Sequence, residues 1–183
     1  IEKNNALVDT NYNIIENNTG TINRYSSDAT LNENSGTINT LSKGSVRKNT
    51  GKINDVNDKN VTIYNYAGGT VGKSDNAWGV RACTVLNMGG IVQGYSSYAD
   101  NVKVYNFEGG TVSNLRKGSV IYNLGGTITD SSTAQVLNCY KVNINSSFVE
   151  TWNDKFIINP DTGEVWLPEG ETGRSEERRV GKE

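Results

Sequence analysis

The feature that most limits how this chain can fold is a sentence it keeps repeating. Residues 61–71 read VTIYNYAGGTV, residues 102–112 read VKVYNFEGGTV and residues 120–128 read VIYNLGGTI. Each copy is anchored by a Gly, then Thr or a substitute, then Ile or Val. The anchors are Gly20-Thr21-Ile22, Gly36-Thr37-Ile38, Gly51-Lys52-Ile53, Gly69-Thr70-Val71, Gly90-Ile91-Val92, Gly110-Thr111-Val112 and Gly126-Thr127-Ile128. They lie 16, 15, 18, 21, 20 and 16 residues apart. A second apolar anchor precedes each Gly, at Ile14, Leu31, Val46, Ile63, Val85, Val104 and Ile121. An eighth, partial copy, QVLNCYKVNI, runs over 135–144.

Copies this short cannot bury an apolar face alone, so neighbouring copies must stack. The apolar runs are β-branched and alternate with period two, with no helical periodicity. Asn and Gly between the anchors supply tight turns. These features predict an all-β chain: a single parallel β-solenoid (β-helix) of about seven to eight coils of 15–21 residues over residues 12–145. Residues 1–11 read as an N-terminal cap or lead-in. Residues 146–173 read as a hairpin, with NPDTG between two apolar runs, that caps the last coil or opens a further domain. Within a copy the two apolar anchors stay seven or eight residues apart. The spacing varies in the opposite arc, which holds the inserts SDNAWGVRA and GYSSYADN. Loops gathered on one side of a solenoid often form its binding face.

Composition supports a thin core rather than disorder. Hydrophobic residues are only 34% of the chain and Asn numbers 26. Disordered chains are poor in β-branched and aromatic residues, whereas Ile and Val here recur at fixed places beside nine Tyr and three Trp. The net charge of −2, with no basic cluster, argues against a nucleic-acid binder. No stretch approaches 18 apolar residues, so no membrane-inserted helix is expected. The absence of His removes Ser-His-Asp, Cys-His and His-metal chemistry, and no phosphate or calcium loop motif is present. No cofactor or metal is expected. Cys83 and Cys139 fall three coils apart, about 14 Å at ~4.8 Å per coil. A disulfide needs Cα atoms within about 7 Å, so two unpaired thiols are expected.

Residues 174–183, RSEERRVGKE, change composition abruptly. The string AGA TCG GAA GAG CGT CGT GTA GGG AAA GAG encodes them and resembles a short-read sequencing adapter read through in frame. They are expected to be read-through rather than natural protein, and the chain a metagenomic fragment of a longer one.

The stretches NTGTIN, NSGTIN and NTGKIN resemble the coil turns of bacterial surface β-solenoids, in particular filamentous-haemagglutinin-like and autotransporter-like adhesin stalks. The resemblance spans roughly residues 12–145. It implies an extracellular or cell-surface location and a role in adhesion or display, and it brings no catalytic residue with it.

Several columns of side chains are candidate sites. Asn65, Asn87, Asn106, Asn123 and Asn138 are expected to form a structural ladder, amide to amide, because buried unpaired amides are costly. Tyr64, Tyr105 and Tyr122 precede those Asn. Strand alternation would place them outward as an aromatic stripe for glycans or host or cell-surface proteins. For Phe107, Leu124 and Met88 an inward position is favoured. Trp78, Tyr95 and Tyr98 on the inserts join the candidate binding set. Outward Thr21, Thr37, Thr70, Thr111 and Thr127 raise ice binding, but only Thr127/Thr129 forms a TxT pair. For catalysis the weak candidates are Asp75 and Asp100, near Asp55 and Asp58, as carboxylates of a polysaccharide-cleaving β-helix enzyme or phage tailspike. The leading expectation is a non-enzymatic surface segment for adhesion, display or glycan binding. Whether three chains wind together, as in tailspikes, stays open.

Overall fold

The computed structural model describes residues 1–73, 79–94, 101–131, 133–143 and 156–170. They contain strands and turns and no helix, and the chain forms a parallel β-solenoid of about eight turns. Two compact units are distinguished, residues 1–136 and 137–183.

In the first unit every coil gives one strand to each of two parallel sheets. The first sheet stacks β1 (Lys3–Asn4), β3 (Asn17–Asn18), β6 (Glu33–Asn34), β8 (Ser45–Asn49), β10 (Thr62–Tyr66), β13 (Thr84–Met88), β15 (Lys103–Phe107) and β17 (Val120–Leu124). The second stacks β2 (Leu7–Asn11), β4 (Thr21–Tyr25), β7 (Thr37–Leu41), β9 (Lys52–Asn57), β11 (Thr70–Val71), β14 (Ile91–Gln93), β16 (Thr111–Ser113) and β18 (Thr127–Thr129). Short strands β5 (Thr30–Leu31) and β12 (Val80–Arg81) pair with β8 and β9 at the corners. Residues 3–11 thus already form a coil, ahead of the start at residue 12 read from the repeat. In each strand order neighbours are successive coils, as the repeat requires.

The core is a set of side-chain columns. One runs Ile15, Leu31, Val46, Ile63, Val85, Val104, Ile121, and its partner runs Ile22, Ile38, Ile53, Val71, Val92, Val112, all fully buried. Full burial of such a side chain favours folding by roughly 1.5–3 kcal/mol before its entropy cost. The first column corrects the sequence reading at one place. Ile15 is the buried anchor, while Ile14 is 57% exposed. Leu31 and Val46 each stand three residues before a buried Asn, and Ile15 keeps that distance from Asn18.

Cys83 is buried in line with Val61 and Val102, and both cysteines are free thiols. Burial pushes the Cys83 thiol up to about 12. A thiol held neutral in this way behaves as a small hydrophobe.

The second unit holds an antiparallel sheet. β19 (Gln135–Val142) pairs with β21 (Val165–Pro168), which pairs with β20 (Ile157–Ile158). The stretch read as an eighth, partial copy supplies β19, which follows β17 in the strand order of the first sheet and takes β21 as an antiparallel partner. The 157–168 hairpin turns as its sequence suggests. Gly163 takes a φ of +73°, its N–H donates to the Asn159 carbonyl at 2.9 Å, and Asn159 Oδ1 accepts from Asp161 N–H at 2.9 Å. Lys141 Nζ lies 2.6 Å from Glu164 Oε1 and 5.3 Å from the Trp166 ring centroid. That bond holds the Glu164 carboxyl below its ordinary range. Cys139 is half-buried, and burial first, then the nearby Glu169 charge, pushes its thiol up to about 11.

Candidate functional site

A buried amide ladder sets the geometry of the outer surface. Asn4, Asn18, Asn34, Asn49, Asn65 and Asn87 each donate Nδ2–H to the Oδ1 of the ladder Asn in the next coil, at 2.7–2.9 Å. From Asn18 to Asn87 the same nitrogen also reaches a carbonyl just past the anchor Gly one coil further on, at 3.1–3.4 Å. Asn18, Asn34, Asn49, Asn65, Asn87 and Asn106 are fully buried. Among the expected members, Asn65, Asn87 and Asn106 are in the ladder. Asn123 is in backbone register with Asn106 but only half-buried, and its Oδ1 has no hydrogen-bond partner among the described residues. Asn106 Nδ2 turns instead to the Thr127 carbonyl at 3.1 Å. Asn138 is exposed on β19 and is not a rung. The reading missed Asn4, Asn18, Asn34 and Asn49.

The anchor glycines follow from this ladder. A Cβ on Gly90 would lie 2.2 Å from Asn65 Nδ2, and one on Gly51 would lie 2.1 Å from the Gly36 carbonyl oxygen. Close approach between coils, not a positive φ, demands Gly at these anchors. A second, half-buried ladder sits on the other sheet. Asn23 donates to Asp9 at 3.0 Å, Asn39 to Asn23 at 2.8 Å and Asn54 to Asn39 at 2.7 Å. The backbone pairing of β2, β4, β7 and β9 skips these residues, and the amides bridge the coils there. The outward Thr column beside it is in register but broken by Lys52 and by Ile91, which is 45% exposed.

Because Asn65, Asn87 and Asn106 point inward, the residue before each must point outward. The register places Tyr64, Leu86, Tyr105 and Tyr122 in one column on the outer face of the first sheet, all half-buried. The Tyr105 and Tyr122 rings stack at 4.9 Å between centroids and 14° between planes. Each covers one face of the other. Tyr64 is separated from that pair by Leu86. Its ring lines an open depression with Thr30, Ser45, Arg47, Thr62 and Tyr66. Phe107 and Leu124 are buried and Met88 is half-buried, so the column after the Asn belongs largely to the core.

Trp78, Tyr95, Tyr98, Asp75 and Asp100 lie outside the described residues, as does 174–183. Asp55 Oδ1 accepts the Gly79 N–H at 2.8 Å, and Asp58 Oδ1 accepts the Asn60 N–H at 2.8 Å. Asp58 thus shapes a local turn, and Asp55 holds backbone 24 residues further along the chain. Among the described residues no group of three or more His, Cys, Asp or Glu could hold a metal ion, and no helix is long and apolar enough to cross a membrane. Compared with known proteins, the chain matches no protein-family model, no curated protein and no solved structure.

Proposed function

We propose that this chain is a non-enzymatic binding segment, displayed outside the cell, that holds a glycan against the outer face of the first sheet. One observation carries the reading: the registered column Tyr64, Leu86, Tyr105, Tyr122 on a rigid parallel sheet. Aromatic side chains offer an apolar body and a polar tip at low entropic cost, and an exposed apolar stripe edged by polar groups marks an interaction surface. The stacked Tyr pair also stabilises the sheet across coils, but Tyr64 on the open depression has no such stacking role among the described residues.

The test is retention of the full chain on a panel of immobilised polysaccharides, with Tyr64→Ala and Tyr122→Ala beside it. Removal of an aromatic contact is expected to weaken binding roughly tenfold at unchanged circular dichroism. Absence of binding across the panel, or binding indifferent to both substitutions, overturns the proposal. Release of reducing ends from any member would replace it with polysaccharide cleavage, and Asp75→Asn and Asp100→Asn would be the next variants.

A further inference from the structure

The outer face of the first sheet is not electrically neutral, and its charge points to a class of glycan. Arg47 and Lys48 are the two outward residues between Val46 and Asn49 on β8, and both are exposed. Lys48 is taken by Glu33, at 3.0 Å. Arg47 has no carboxylate partner among the described residues, and it lines the depression beside Tyr64. Lys103 is exposed and stands two residues before Tyr105, on the same outward face; it too lacks a carboxylate partner among the described residues. Three coil spacings separate β8 from β15, about 14 Å. Strands β8, β10, β13, β15 and β17 hold no Asp or Glu at all. A chain with net charge −2 thus presents a cationic strip where its Tyr column lies, with Glu33 at its edge held by Lys48.

We infer that the ligand of this face is a carboxylate-bearing polysaccharide, one uronate seated against Arg47 in the depression beside Tyr64 and a later one reaching Lys103. The planar guanidinium fork matches a carboxylate in a bidentate fashion, and the ammonium acts as a point charge. The depression also offers the hydroxyls of Thr30, Ser45 and Thr62, suited to sugar hydroxyls. The inference rests on the glycan reading above and adds charge selectivity to it.

The experiment compares polygalacturonate with the same backbone fully methyl-esterified, and alginate with a neutral glucan, by titration calorimetry on the full chain. The wild type should prefer the acidic member of each pair, and the preference should shrink as salt rises. The variant Arg47→Gln/Lys103→Gln should reduce the acidic-to-neutral affinity ratio by roughly tenfold. Both positions are exposed, and circular dichroism checks the fold. Equal affinity for esterified and free polygalacturonate, with a ratio untouched by the double variant, overturns the charge inference and leaves neutral glycan binding standing. Binding of none of the four polymers overturns both readings. A preference for one acidic polymer lost in the double variant supports the inference and names the uronate.

Discussion

In coils two to four, two residues separate the inward anchor from the buried Asn: Glu16-Asn17, Asn32-Glu33 and Arg47-Lys48. In coils five to eight one residue does: Tyr64, Leu86, Tyr105 or Tyr122. The register between β8 and β10 records the change, with Val46 opposite Ile63 and Asn49 opposite Asn65. The early first-sheet strands β1, β3 and β6 are only two residues long, while β8, which carries the outward pair Arg47-Lys48, runs for five. One outward residue keeps strict alternation, and β10, β13, β15 and β17 run for five. The second sheet shows the reverse. Its early strands run for five or six residues and its later ones for two or three. Turns differ accordingly, N-x-G early and N-x-G-G or N-x-x-G-G late. Moving one residue across the bend moves the flat surface from one sheet to the other, and only the later arrangement faces aromatic residues outward.

The sharpest test of this contrast uses glycines. Gly51→Ala would drive a Cβ into the Gly36 carbonyl oxygen, 2.1 Å away, and should cost about 3 kcal/mol or more. Gly89→Ala in a late turn meets nothing closer than 3.5 Å but must hold a φ of +97°, which should cost about 1–2 kcal/mol. Urea midpoints measure both, and equal losses would mean that the two turn types are not distinct. The ladders give the next contrast. Asn49→Ala strips Asn65 Oδ1 of its amide donor inside the core and leaves Asn34 Nδ2 only its longer bonds to backbone carbonyls, a loss of about 2–4 kcal/mol. Asn54→Ala removes one half-exposed rung, at about 1 kcal/mol or less. A cost at Asn54 matching that at Asn49 would show that the outer ladder holds the early coils together as firmly as the inner.

A smaller effect separates the halves by pH. The late-coil thiol of Cys83 is pushed up to about 12 by burial, against about 8.5 in an unfolded chain. The folded state therefore keeps a proton that the unfolded state releases, so stability is full below about pH 8.5 and falls as pH rises toward 12. The slope for one such group is at most about 1.4 kcal/mol per pH unit. The early-coil Tyr25 is also raised, chiefly by burial, and adds to the fall only above its ordinary range near 10. Cys139, raised to about 11, contributes in the same window, so thermal melts from pH 8 to 10 should lose about half their slope in Cys83→Ala, lose the rest in Cys83→Ala/Cys139→Ala, and keep it in Tyr25→Phe. A slope kept in Cys83→Ala would assign the loss to other groups.

The repeat made the fold legible because stacking writes the same constraint into every coil. Much of the site was also in plain view. NTGTIN, NSGTIN and NTGKIN each begin with an inner-ladder Asn and end with an outer-ladder Asn, so both ladders stood in the motifs while only later Asn were singled out. The early members do not line up with the later ones, because the inward anchor stands two residues before Asn at Ile63 and Val85 but three before it at Ile15, Leu31 and Val46. Asn123 and Asn138 look like rungs in sequence. Asn123 is only half-buried beyond the last amide-to-amide bond, and Asn138 lies on a strand paired antiparallel. The cationic strip was illegible because Arg47 and Lys103 lie 56 residues apart and meet one face only through coil registry.

The inner ladder donates from each coil to the next, whereas the outer ladder donates back toward the one before. In either row an amide turned the wrong way would set donor against donor on one side and acceptor against acceptor on the other. The orientation at one coil thus dictates that of its neighbour, and a coil added out of frame is rejected twice. The rows act as a proofreading device, holding a chain of near-identical units to one alignment among many close alternatives.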